Sequence, residues 1–268
     1  MEKLLVVIIH GIGSQSTDFA EECISKLKKE LSKKDKDPTQ IEFLPIYWAN
    51  ITELSQLRYF SKASSEGELD YRGLRKFVLT ALGDASAYRK TDGTNDTYNK
   101  IHDLIDEELK NVVSNEGNSI TGETPVIVLA HSLGGHIMSN HIWDRQREPN
   151  PASTPLENME TLSGLITFGC NIPLFTFAYN NIRPITFPPL SLPEELSEKA
   201  EWLNYYDPDD VLGYPLKPIN DAYRSVVSED IAISVGGILT AWNPASHTAY
   251  WTDKDFIRPV ATYIANFI

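Results

Sequence analysis

Six short segments of the chain have the apolar or β-branched character of strands, and stretches with apolar residues every three or four positions separate most of them. Leu4 to Ile9 and Pro125 to Leu129 are continuous apolar runs, the pattern of a strand covered on both faces. Ile41 to Trp48, Leu162 to Phe168, Glu201 to Tyr206 and Asp230 to Val235 read as further strands. Phe19, Cys23, Ile24, Leu27 and Leu31 form one helical stripe, with Ser16 or Thr17 available as its N-cap. Tyr98, Ile101, Ile105, Leu109 and Val112 form another, a helix-like stretch follows Gly135, and an amphipathic helix runs from about Asp253 to Phe267. This alternation predicts an α/β fold with a mostly parallel central sheet, helices on both faces and functional loops at the carboxyl ends of the strands. The length of 268 residues fits a single domain spanning positions 1–268.

Two segments stand outside the minimal alternation, and as variable loops over a rigid sheet they are where substrate choice is expected to reside. In the first, about 49–97, Leu74, Phe77, Val78, Ala81, Leu82, Ala85 and Tyr88 make a helical stripe that is either a cap over the site or an extra layer of core. Core is the simpler reading, and Asp84 is read as a solvated carboxylate, with a place facing the cavity the alternative. The second, about 171–193, holds Phe175, Phe177, Tyr179, Phe187 and five prolines, too many for a regular helix. It either lines an apolar acyl pocket as a lid or lies pinned against the protein body, and Phe175 and Phe177 are its candidate substrate contacts.

The candidate chemistry begins at Ala130 to Gly135, AHSLGG, which joins the second apolar run to a helix. A serine hydroxyl is a poor nucleophile at neutral pH, and a sharp strand-to-helix turn with small neighbours presents it to a histidine. Ser132 is placed to be such a nucleophile, with Ala130 and Gly134 as the small neighbours, although the usual first residue of this elbow is glycine. The first apolar run ends in His10, Gly11, Ile12 and Gly13, a tight loop after a buried strand. In the order of these elements the chain resembles the α/β-hydrolase superfamily, and more narrowly its lipase and esterase branches. The resemblance is specific only at the motifs.

The resemblance implies an oxyanion hole made by the backbone N–H groups of Ile12 and Leu133, with His10 supporting the loop instead of moving protons. It also implies a triad running serine, acid, histidine along the chain. His247, in the turn-like segment Asn243 to Trp251, is the one histidine beyond the elbow helix, while His102, His136 and His141 are read as structural. The acid falls among Asp207, Asp209 and Asp210 after a strand. Lipase-like relatives commonly have two apolar residues directly after the acid, which favours Asp210, followed by Val211 and Leu212, with Asp207 the alternative. The activity implied is hydrolysis of a small-molecule or lipid-like acyl ester through an acyl-enzyme, with no cofactor and no metal. Thioester or amide cleavage, acyl transfer, and a binding module that has lost turnover are the alternatives, the last opposed by the complete set of three side chains.

Composition narrows the classes. A hydrophobic content of 41% supplies a large core, and a charged content of 23% argues against disorder. No run of eighteen apolar residues occurs, so no transmembrane helix is expected. The net charge of −13 argues against nucleic acid and anionic lipid as partners, and the lysines of positions 26 to 36 read as a solvated helix face. The apolar amino-terminal run is short and ends at the candidate oxyanion loop, which argues against a secretion signal. With only Cys23 and Cys170, no disulfide framework is expected, and the reading is cytoplasmic.

Overall fold

The computed structural model describes residues 3–12, 16–90, 97–177, 179–236 and 246–268. In chain order these form β1 (Leu4–Ile9), α1 (Glu21–Ser32), β2 (Ile41–Ile46), α2 (Asn50–Glu66), α3 (Arg72–Ala87), α4 (Thr97–Ser114), β3 (Val126–His131), α5 (Leu133–Arg147) and β4 (Leu162–Phe168). There follow α6 (Ile172–Thr176), α7 (Glu194–Ser197), β5 (Glu201–Tyr206), α8 (Asp221–Val226), β6 (Glu229–Ala232), α9 (Ser246–Ala249) and α10 (Lys254–Ile264). The strands make one six-stranded sheet in the order β2-β1-β3-β4-β5-β6. Every neighbouring pair is parallel. The fold is therefore α/β, as the alternation predicts.

The side-chain period of two divides each central strand between two cores. Leu5, Val7 and Ile9 of β1 and Val126, Val128 and Ala130 of β3 face one side, where α4 contributes Ile101, Ile105 and Leu109 and α5 contributes Ile137, Met138 and Ile142. Leu4, Val6 and Ile8 with Ile127 and Leu129 face the other, against Cys23, Leu27 and Leu31 of α1 and Phe256, Ile257, Val260 and Ile264 of α10. Burial on both sides is why β1 and β3 are apolar at every position except the terminal His131.

From β1 the chain moves outward to the edge strand β2, then crosses back to place β3 on the other side of β1 and continues away from it. The strand order thus reverses between β1 and β3. In an open parallel sheet the connections leave the carboxyl ends at such a point in opposite directions, and a crevice opens there. The loop after β1 and the elbow after β3 both meet at it.

Several local expectations are corrected. No side chain caps α1: its N-cap is Ala20, and Ser16 instead hydrogen-bonds to Asp18 within a preceding turn. The stripe on α3 is split, because Ala81 and Tyr88 are buried while Leu74, Val78 and Leu82 are exposed. Asp84 is not solvated; it is buried and accepts hydrogen bonds from Thr52 Oγ1 at 2.7 Å and Gln56 Nε2 at 2.6 Å, fastening α3 to α2. The proline-rich segment admits one short helix, α6, with Pro173 in its first turn, where a missing N–H costs nothing. Gly13 and the Asn243–Ala245 part of the expected histidine loop lie outside the described residues. Among the described residues no helix is long and apolar enough to cross a membrane.

Candidate active site

Ser132 directly follows β3 and stands as the N-cap of α5 with φ 53° and ψ −124°. This conformation is uncommon for a residue with a side chain, and the surroundings hold it there. The Ser132 N–H donates to Phe168 O of the neighbouring strand at 3.0 Å, and on the other flank Gly11 lies so close that a Cβ built on it would sit 2.4 Å from Ser132 Cβ. A Cβ on Gly134 would come within 2.7 Å of His10 O. Gly11 and Gly134 are thus explained by one contact, the first turn of α5 pressed against the end of β1.

His10 serves that contact. The Trp48 N–H donates to His10 Nε2 at 3.1 Å, so the ring proton sits on Nδ1, which donates to Gly11 O at 2.8 Å. Trp48 stacks on the ring and donates from Nε1 to His10 O at 3.0 Å. Burial lowers the His10 pKa to about 4, and the imidazole is neutral.

Facing Ser132 is His247. Its Nδ1 lies 2.8 Å and 3.1 Å from the two carboxylate oxygens of Asp210, which only accept, so Nδ1 carries the proton. That leaves Nε2 to accept from the Ser132 hydroxyl at 2.7 Å. The three side chains are almost completely withdrawn from solvent, at 0%, 3% and 4% exposure for Ser132, His247 and Asp210. Burial pushes the Asp210 carboxyl up, but hydrogen bonds from His247, Leu212 N–H and Tyr250, with the attraction of His247, outweigh it and hold the group below the usual carboxylate value.

Asp207, the alternative acid, faces elsewhere. Its Oδ1 accepts from Asp209 N–H at 2.8 Å and its Oδ2 from Val235 N–H at 2.6 Å, so it shapes the loop after β5 and ties it to the exit from β6. His247 itself is on the four-residue helix α9 and not in a turn. Leu133, as the first residue of α5, contributes one of the N–H groups that a helix leaves unpaired at its start. Ile12 is partly buried against the core. Phe175 stacks on His136 with ring centroids 4.1 Å apart, whereas Phe177 is 85% exposed. His102 and His141 engage Asp144 at 3.4 Å and Asp106 at 2.9 Å on the α4–α5 side, away from Ser132.

Two residues of this cluster escape sequence reasoning. His131 accompanies Ser132 in the motif, and its Nε2–H donates to the main-chain carbonyl of His247 at 2.6 Å, while burial drives its pKa well below the ordinary value. Tyr250 donates to Asp210 Oδ2 at 3.0 Å. A signal for each was present: His131 adjoins the nucleophile position, and Tyr250 follows His247 by three residues, one helical turn. Two glycines make room for the acid. Gly169, with φ 53°, would place a Cβ 3.3 Å from Asp210 Oδ2 and 3.2 Å from His247 Cε1, and Gly213 would place one 2.7 Å from Asp210 Oδ2.

The fold and the site together define an α/β protein with a buried serine–histidine–carboxylate chain at its topological switch point. No family model and no curated protein matches the chain. Among solved structures it is similar to Est1E from Butyrivibrio proteoclasticus, at 13% identity over 99% of this chain and 87% of that one, with a TM-score of 0.38. It is also similar to a pyrethroid hydrolase, PytH, at 12% identity over 99% and 98% of the two chains, with a TM-score of 0.39. At these values neither likeness carries weight for the assignment below.

Proposed function

We propose that the chain is a serine hydrolase of the α/β-hydrolase type that cleaves carboxylic esters of small-molecule or lipid-like acyl substrates. The observation that carries this reading is the continuous hydrogen-bonded path from Ser132 Oγ through His247 to Asp210. In the proposed reaction His247 Nε2 takes the hydroxyl proton as Ser132 Oγ attacks the acyl carbon, and Asp210 stabilises the imidazolium and keeps its tautomer. The N–H groups of Ile12 and Leu133 hold the tetrahedral oxyanion, a contribution of about 3 kcal/mol for each such donor. His247 then protonates the leaving alcohol, and water repeats the sequence on the acyl-enzyme. Phe175 and Phe177 are proposed as acyl contacts.

The test is labelling with a fluorophosphonate, together with turnover of p-nitrophenyl esters, in the wild type and Ser132→Ala. Labelling and turnover that both vanish in the variant support the reading. Labelling that survives the substitution dismisses Ser132. Including p-nitrophenyl thioester and anilide analogues in the same panel ranks the leaving groups.

A further inference from the structure

Tyr250 is wholly buried at the carboxyl end of α9, and its hydroxyl is shared by two segments of the loop after β5. The main-chain N–H of Asp207 donates to it at 2.7 Å. An N–H cannot accept, so the single phenolic proton is left for Asp210 Oδ2, 3.0 Å away. Asp210 Oδ2 also faces His247 Nδ1 at 2.8 Å, and its other oxygen accepts from Leu212 N–H at 3.0 Å. Phe168 and Phe256 lie around the phenol ring, with centroids 6.1 Å and 6.5 Å from its own. Burial and the neighbouring Asp210 charge raise the phenol pKa, and it stays a donor throughout the working range.

We propose that Tyr250 is a positioning residue for the acid: its hydroxyl fixes the rotation of the Asp210 carboxylate and thereby the alignment and basicity of His247. The inference rests on the Ser132–His247–Asp210 reading above. The physical logic is that a carboxylate turns about its last bond unless its oxygens are separately held. Leu212 N–H holds one oxygen, and among the described residues Tyr250 is the side-chain donor that, besides His247, holds the other. Without Tyr250 the carboxylate loses one of the donors on Oδ2 and is less firmly fixed against His247 Nδ1, and the charge that it no longer shares with the phenol falls more strongly on His247. Turnover then drops while the imidazole becomes easier to protonate. Among the described residues the titratable groups in contact with the pair are His131, Tyr250 and, behind Tyr250, Asp207; His131 is held neutral by burial.

The experiment is a double-mutant cycle of Tyr250→Phe with Asp210→Asn on the full chain, read as kcat, KM and the acid limb of the kcat/KM profile. Tyr250→Phe is expected to lower kcat about tenfold, the scale of a hydrogen bond to a charged group, with KM within about twofold and the acid limb moved to higher pH. In the Asp210→Asn background the same change should cost less than about twofold. Replacing Tyr250 by 3-fluorotyrosine keeps the packing and strengthens the donor, so the acid limb should move the opposite way. An unmoved limb in both variants, or a full tenfold loss that persists in the Asp210→Asn background, overturns the assignment of Tyr250 alone. Near-wild-type turnover of Asp210→Asn by itself overturns the underlying proton relay, and the role of Tyr250 with it.

Discussion

Replacing Gly11 by alanine adds one carbon at the tightest contact of the site. That carbon would lie 2.4 Å from Ser132 Cβ and 3.0 Å from Ser132 Oγ, against an ordinary carbon–carbon separation of about 3.5 Å or more, so roughly 1 Å must be recovered by movement. Ser132 has little freedom to give way. Its N–H is tied to Phe168 O, and two residues further on Gly134 is pressed against His10 O. The loop after β1 must move instead, carrying Ile12, or the serine hydroxyl must leave its 2.7 Å contact with His247. A misplacement of about 1 Å at a reacting centre costs on the order of 100-fold, or about 2.7 kcal/mol of barrier. Overpacking should also cost about 1–3 kcal/mol of stability, which for a chain of this size lowers Tm by several degrees. The assay is kcat/KM on a p-nitrophenyl ester with a thermal melt, using Gly73→Ala as control. Gly73 is exposed on α3 with nothing within 4 Å of its added carbon, so that variant should keep full activity and gain up to about 1 kcal/mol of helix stability. A Gly11→Ala enzyme within about threefold of wild type would refute the reasoning.

Three further outcomes are expected. Asp84→Ala, which strips the acceptor from the Thr52 hydroxyl and the Gln56 amide, should lower stability by about 1–3 kcal/mol in urea melts while leaving kcat nearly unchanged; an unaltered midpoint would contradict the tie between α2 and α3. Burial lowers the pKa of His10 to about 4 and of His136 to about 3, so below the ordinary histidine value of about 6.5 the unfolded chain binds protons that the folded chain refuses. Stability should therefore fall as pH drops from about 6.5 toward 4, by about 1.4 kcal/mol per pH unit for each of the two, and His136→Gln should flatten the slope; equal urea midpoints at pH 7 and 5 would count against it. Asp210, held below the usual carboxylate value, adds its stabilisation above about pH 4 and loses it only in stronger acid. Phe175→Ala should change the ratio of long- to short-chain ester turnover at least severalfold, whereas Phe177→Ala should leave short esters untouched; identical chain-length profiles for all three proteins would remove both residues from the substrate path.

The parts of the molecule legible in the sequence are those where a local pattern has a single physical solution. Leu4–Ile9 is apolar at every position because helices cover both faces of the sheet, and its end falls at His10. Gly134, two residues after Ser132, is small because the first turn of α5 is pressed against the end of β1. Where several solutions exist, the chain alone is mute. Periodicity revealed an apolar stripe on α3 but not what covers it, and α2 is fastened to the other flank through Asp84, leaving Leu74, Val78 and Leu82 exposed. Asp207 and Asp210 are three residues apart in one loop, and what separates their positions is contact with distant segments, Val235 N–H for Asp207 and His247 for Asp210. The α9 helix has four residues, too few to show a period, so His247 reads as a turn residue. Phe175 and Phe177 lie two apart, a spacing that suits one shared wall in extended chain, but the α6 turn sends one against His136 and the other into solvent.

The most direct measurement is peptide mass spectrometry of the protein quenched in acid during turnover of a slowly hydrolysed p-nitrophenyl ester. An acyl group on the peptide that carries Ser132, accumulating faster in wild type than in His247→Ala and absent from Ser132→Ala, is the predicted result. Turnover with no covalent acyl on that peptide, or an acyl group carried by a different residue, would contradict the account.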